Sequence, residues 1–137
     1  MAKIRGELSK KNPYYISKYR YYELKYKCLQ FNEWKEELNS FDLFGRSSGY
    51  IRERVDSSDI SDRTKEFAIR RFVLEANVRM VLEALEALRD DLRPVIFDAV
   101  TKGMGWSVLQ ARYSLTCTRD EYYNEYHRFF YILSNLA

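Results

Sequence analysis

From Ser61 or Asp62 to about Leu92, just ahead of Pro94, the chain carries Leu74, Val78, Val81, Leu85, Leu88 and Leu92 at alternating spacings of four and three. That repeat draws an apolar seam along a helix of about thirty residues and restricts the fold more than any other feature. A second strip, Ile69, Phe72, Val73, Ala76, Met80, Ala84 and Ala87, flanks the first. So wide an apolar surface cannot face water. Either this is the central helix of an intramolecular bundle, or one strip packs inward and the other joins two copies of the chain. The bundle is the simpler expectation. For a dimer, Leu74, Val78, Val81, Leu85 and Leu88 are the candidate seam.

Five Gly and two Pro in 137 residues favour an all-α fold, a helical bundle with a long central helix. The expected division is an N-terminal bundle or assembly region over 1–92, with 39–60 as loop or linker, and a helix-turn-helix module over 93–137. No apolar run approaches the roughly 18 residues of a membrane span, and the first residues do not form a signal peptide, so a cytoplasmic protein without a membrane partner is expected. Cys28 and Cys117 are far apart and outside any Cys/His cluster, which suits two small buried thiols better than a disulfide framework or a zinc site. His127 is the single histidine, and no nucleophile–base pair or paired carboxylates stand out. Neither enzymatic activity nor a cofactor or metal is therefore expected.

Eight Lys/Arg against two Glu leave residues 1–30 at a net +6, whereas four basic and eight acidic side chains leave 31–62 at −4. The first helix is expected from Asn12-Pro13, a capping pair, to about Leu29. Its stripe Tyr15, Tyr19, Tyr22, Tyr26 and Leu29 repeats at helical spacing, with Lys18, Arg20, Lys25 and Lys27 over much of the rest. Spacing alone makes the stripe core-facing, with hydroxyls at the rim; the alternative is an aromatic and basic nucleic-acid surface. Asn32 caps a short continuation to Leu38 with Trp34 and Leu38 inward, and 39–62 then reads as linker or lid, with one helical turn over 50–55. Phe41 to Phe44 are placed to fold back onto the core.

The C-terminal third carries the local signals of three helices. Pro94 opens one whose buried side is Ile96, Phe97 and Val100, and Gly103 stops it in the left-handed conformation. Trp106 to Tyr113 forms a supporting helix, Leu115 plugs the turn, and Thr118 with Glu121 makes a capping box whose free amides and dipole can seat a phosphate. On the last helix Tyr122, Tyr126, Phe129, Leu133 and Leu136 form the core face. The opposite face shows Arg119, Asp120, Tyr123, Asn124, His127 and Arg128. If this helix enters a major groove, Arg119, Tyr123, Asn124 and His127 are the base-reading candidates, Arg119 for guanine and Asn124 for adenine. Lys10, Lys11, Lys18, Arg20, Lys102, Arg112 and Arg128 are the phosphate-contact candidates. Four basic and four acidic side chains cancel over 94–137, so the grip is expected from the basic N-terminal arm or from a second subunit.

Three groups of residues carry a resemblance. Tyr19-Arg20-Tyr21-Tyr22-Glu23-Leu24-Lys25-Tyr26, then Ile60 to Thr64 with Ala68-Ile69-Arg70-Arg71, and Ala99 to Gly103 through Arg119 to Tyr123 and Arg128 to Leu133 resemble small proteins of phages and prophages in Gram-positive bacteria, similar to late-gene transcriptional regulators of the RinA and ArpU type. The module also resembles region 4 of sigma factors: Gly103, Trp106, Leu109, Tyr113 and Leu115 occupy its glycine and apolar positions, and Thr118 with Tyr122 opens the reading helix. The resemblance implies a non-enzymatic transcriptional regulator partnered by DNA, with RNA polymerase as a further partner. The other reading of the residues is a helical protein-interaction or phage packaging and assembly module.

Overall fold

The structure, a computed structural model, describes residues 12–48 and 58–137, and for 43–48 and 58–61 the backbone only. Lys10, Lys11 and the helical turn expected over 50–55 lie outside the described residues. Six helices and no strand are found among the described residues: α1 Lys18–Cys28, α2 Phe31–Ser48, α3 Ser58–Glu86, α4 Arg93–Lys102, α5 Trp106–Tyr113 and α6 Arg119–Leu136. No helix among these residues is long and apolar enough to cross a membrane. The fold is all-α.

The chain forms two compact units, one holding residues up to Gln30 together with Met80–Ala137, the other Phe31–Arg79. This partition differs from the division at residue 92 that the sequence suggests. The reason is that α1 shares its core with the C-terminal helices. Tyr21, at the centre of α1, lies edge-on to Phe130 at 5.1 Å and to Tyr126 at 6.4 Å, and the two tyrosine hydroxyls are hydrogen-bonded at 2.8 Å. Arg20 reaches the other end of α6, donating to the Ser134 hydroxyl and carbonyl.

The start and the phase of α1 depart from expectation. Asn12 accepts the amides of Tyr14 and Tyr15 in a turn of its own, and Ser17 is the helix cap, its hydroxyl accepting from the Arg20 amide. The buried face is Tyr21, Leu24 and Cys28, whereas Tyr19 and Tyr26 are 81% and 61% exposed. Burying the tyrosine stripe would have required partners for several hydroxyls at once. The phase adopted buries only one, and Tyr126 satisfies it. Burial pushes the Cys28 thiol up to about 12.

In the second unit α2 runs well past Leu38, through the segment expected as linker. Three interactions with α3 override the weak local propensity. The Phe41 ring meets Phe67 edge-on at 5.4 Å, Arg70 pairs with Glu37 at 2.8 Å, and Arg71 pairs with Asp42 at 2.8 Å. Ser40 donates its hydroxyl to the Glu36 carbonyl one turn back, sharing the acceptor of its own helical amide.

On α3 and the turn after it, Leu74, Val78, Val81, Leu85, Leu88 and Leu92 are all buried within the single chain. The seam is real but intramolecular. Leu74, Val78, Val81, Leu85 and Leu88 are thus unavailable to a second copy. The flanking strip divides instead: Ala84 is buried, while Ile69 and Phe72 are 64% and 70% exposed. The helix stops at Glu86 rather than near Leu92 because the Arg93 side chain donates to the carbonyls of Leu85, Glu86 and Leu88, each at 3.1 Å. A guanidinium there satisfies orphan carbonyls and opposes the helix dipole. The Glu125 carboxylate of α6 accepts the Arg89 amide of the same turn at 3.0 Å.

Leu85→Ala is expected to cost about 2–5 kcal/mol in urea unfolding, the range for emptying a fully packed leucine site. Ile69→Ala should stay within about 0.5 kcal/mol of the parent, as an exposed position does.

Candidate nucleic-acid interface

The C-terminal helices follow their local signals closely. Pro94 lies in the first turn of α4, and Gly103 closes that helix at φ 69° and ψ 27°. A Cβ at Gly103 would meet Leu29 at an ordinary 3.5 Å, so glycine is required there for its backbone and not for space. Val95, Ile96, Ala99 and Val100 are buried, and Phe97 is half-buried.

α5 packs against the start of α6. Leu109 is fully buried, and the Trp106 ring lies 5.2 Å from that of Tyr122, itself buried. Between the helices, Ser114 takes the left-handed conformation at φ 50°, the single positive-φ residue other than glycine among those described. Sequence reading missed it, because serine gives no signal for that geometry; Leu115, assigned the plug, is only half-buried. Thr118 caps α6, its hydroxyl accepting the Glu121 amide at 3.1 Å. The Glu121 carboxylate does not close the box. It lies 3.5 Å from Arg89, and with Asp120 it brings two negative charges to the first turn of α6. Those acids already complement the helix dipole at the end the sequence suggests as a phosphate seat.

The base-reading candidates separate into two sets. Arg119 and Asn124 are exposed on the first turns of α6, with the Arg119 guanidinium 5.5 Å from the Tyr123 ring centre. Tyr123 and His127 are half-buried and belong to an aromatic cluster with Tyr126: His127 lies 6.2 Å from Tyr123 and 5.8 Å from Tyr126. Burial lowers the His127 imidazole to about 4, so it is neutral at pH 7. On the core face of α6, Phe129 and Leu133 are buried with Tyr122, while Tyr126 is half-buried and Leu136 exposed.

Among the described residues, most of the phosphate-contact candidates are engaged within the chain. Asp98 is only 5% exposed, and Lys102 at 3.3 Å and Arg112 at 3.6 Å both face its carboxylate. Tyr113 donates its hydroxyl to the same group. Burial works to raise the Asp98 carboxyl, but the hydrogen bonds from Tyr113 and Lys102, with both cations, hold it below the usual range. Arg128 lies 3.5 Å from Glu125, a second buried carboxylate. Arg20 pairs with Glu23 and Ser134, and Lys18 is half-buried at the first turn of α1. Asp98 and Glu125 are the site residues that sequence reading passed over. Their signal was present in the Asp98–Lys102 and Glu125–Arg128 spacings of four and three.

No protein-family model matches the chain, and no curated protein or solved structure matches it either.

Two measurements check this geometry. Ser114→Gly should raise stability by about 1 kcal/mol in chemical denaturation, since a left-handed non-glycine residue costs about that much. For His127, the unfolded imidazole takes up its proton near the ordinary 6.5, whereas the folded one does so only near 4. The unfolded state therefore binds more protons between those values, and stability should fall as pH drops from 6.5 towards 4. His127→Gln should remove that part of the slope, and the single imidazole resonance in NMR should titrate near 4.

Proposed function

We propose that the protein is a DNA-binding transcriptional regulator of phage type, acting in the cytoplasm of a bacterial host, with the α5–turn–α6 unit reading duplex DNA. The observation that carries this reading is the presentation of α6. Its Thr118-capped start is braced on α5 through Trp106, Leu109 and Tyr122, and Arg119 and Asn124 project from its exposed first turns. Those side chains suit bidentate pairing with guanine and adenine edges in the major groove. RNA polymerase is the protein partner that the sigma-like pattern adds. For a homodimer, Ile69 and Phe72 are among the apolar side chains left exposed to a second copy of the chain.

The pairings at Asp98 and Glu125 make this a weak binder on its own, because affinity for duplex DNA grows with the number of phosphates neutralised. The competing reading, a protein-interaction or packaging and assembly module, is favoured by the exposure of Ile69 and Phe72.

Titration of pooled duplex DNA from a prophage promoter region at two salt concentrations separates the two. The regulator requires binding that weakens with salt and drops at least tenfold for Arg119→Ala with Asn124→Ala, about the discrimination of one good base pairing. Absence of duplex binding at low salt leaves the interaction module. Asp98→Asn frees Lys102 and Arg112, and the salt dependence of log K should steepen by about 1.8, the slope for two further phosphates.

A further inference from the structure

The stripe that spacing alone would bury is on the outside of α1. Tyr19 and Tyr26 are largely exposed and Tyr22 is half-buried, at spacings of three and four that put all three rings on one face. Tyr22 and Tyr26 are nearly parallel, 26° apart with centres 6.4 Å from each other. Lys18 and Lys25 fall along one flank of this row and Lys27 along the other. Glu23 is the one acid of the helix, and Arg20 holds it. Stability does not explain the row: one phase of the same helix already buries Tyr21, Leu24 and Cys28. Exposed tyrosine faces between lysines offer what unpaired bases on a phosphate backbone need, a sequence-tolerant stacking surface and positive charge beside it.

We infer that the outer face of α1 is a binding site for single-stranded nucleic acid, with Tyr19, Tyr22 and Tyr26 stacking bases and Lys18, Lys25 and Lys27 meeting phosphates. The site is separate from the exposed face of α6 and does not depend on the reading of duplex DNA. Double-stranded DNA is a poor occupant for it, since paired bases keep their faces inside the stack. A purely electrostatic surface would not need the rings.

Fluorescence anisotropy with a labelled thymidine strand about twelve nucleotides long tests this, within the span of known single-strand sites. An abasic strand of the same length and the corresponding duplex serve as comparisons. The thymidine strand should bind more tightly than the abasic one. Tyr19→Ala with Tyr26→Ala should weaken it roughly a hundredfold, and Tyr26→Ala alone roughly tenfold, as loss of stacked bases does. Tyr19→Phe with Tyr26→Phe, which keeps the rings, should bind as the parent does, and so should Arg119→Ala with Asn124→Ala. Failure of the reading helix shows as lost duplex binding with single-strand binding intact. A thymidine strand that does not bind at low salt, or binds no better than the abasic strand, overturns the proposal. So does equal binding by the Tyr26→Ala variant, whose melting curve should match the parent because the ring is exposed.

Discussion

Between the end of α3 and the start of α4 a few residues join the two helices, and two side chains complete the hydrogen bonding that their backbone begins. Arg93 donates to the carbonyls of Leu85 and Glu86 at the end of α3 and to that of Leu88 just beyond it, and Glu125, from the middle of α6, accepts the Arg89 amide. The first bond set ends one helix with the residue that begins the next. The second ties that corner to the helix whose opposite face carries the exposed polar side chains. Among the described residues every buried side-chain nitrogen and oxygen has a partner, Glu125 among them. The C-terminal unit is arranged around this corner.

Charge in that unit is balanced pair by pair rather than by separation. Asp98 takes two cations, Glu125 one, and Arg89 stands between Asp91 and Glu121. The neutrality visible in the sequence is thus a matter of local contacts, and it leaves the exposed start of α6 with polar side chains and little field. The aromatic row of α1 has the opposite character, several cations over a surface with one engaged acid.

What the sequence reveals follows from how local each cause is. Pro94, Gly103 and Thr118 act on their own backbone, so α4, α5 and α6 are legible to within a residue or so. The seam from Leu74 to Leu92 is legible because leucine and valine have only one favourable place to go. The phase of α1 is not legible, because tyrosine suits both core and rim and the choice rests on Tyr126, far along the chain. α2 is longer than its own residues suggest because α3 holds it, through contacts that no local window contains. Ser114 shows the limit from the other side: packing imposed a conformation that its residue type does not announce. The pairings of Asp98 and Glu125 were half legible, as spacings without knowledge of burial.

The hydroxyl pair of Tyr21 and Tyr126 joins residues 105 positions apart. α4, which precedes α6, already meets α1, but the Tyr21 hydroxyl has no partner until α6 has followed, so the unit cannot close completely before that helix is made. Helices of this kind form quickly on their own, whereas a contact of such separation must first meet the loop-closure entropy of the chain between. A chain interrupted before α6 leaves Tyr21 without the Tyr126 hydroxyl and the Phe130 ring. The last helix is therefore the step that commits the unit to its fold.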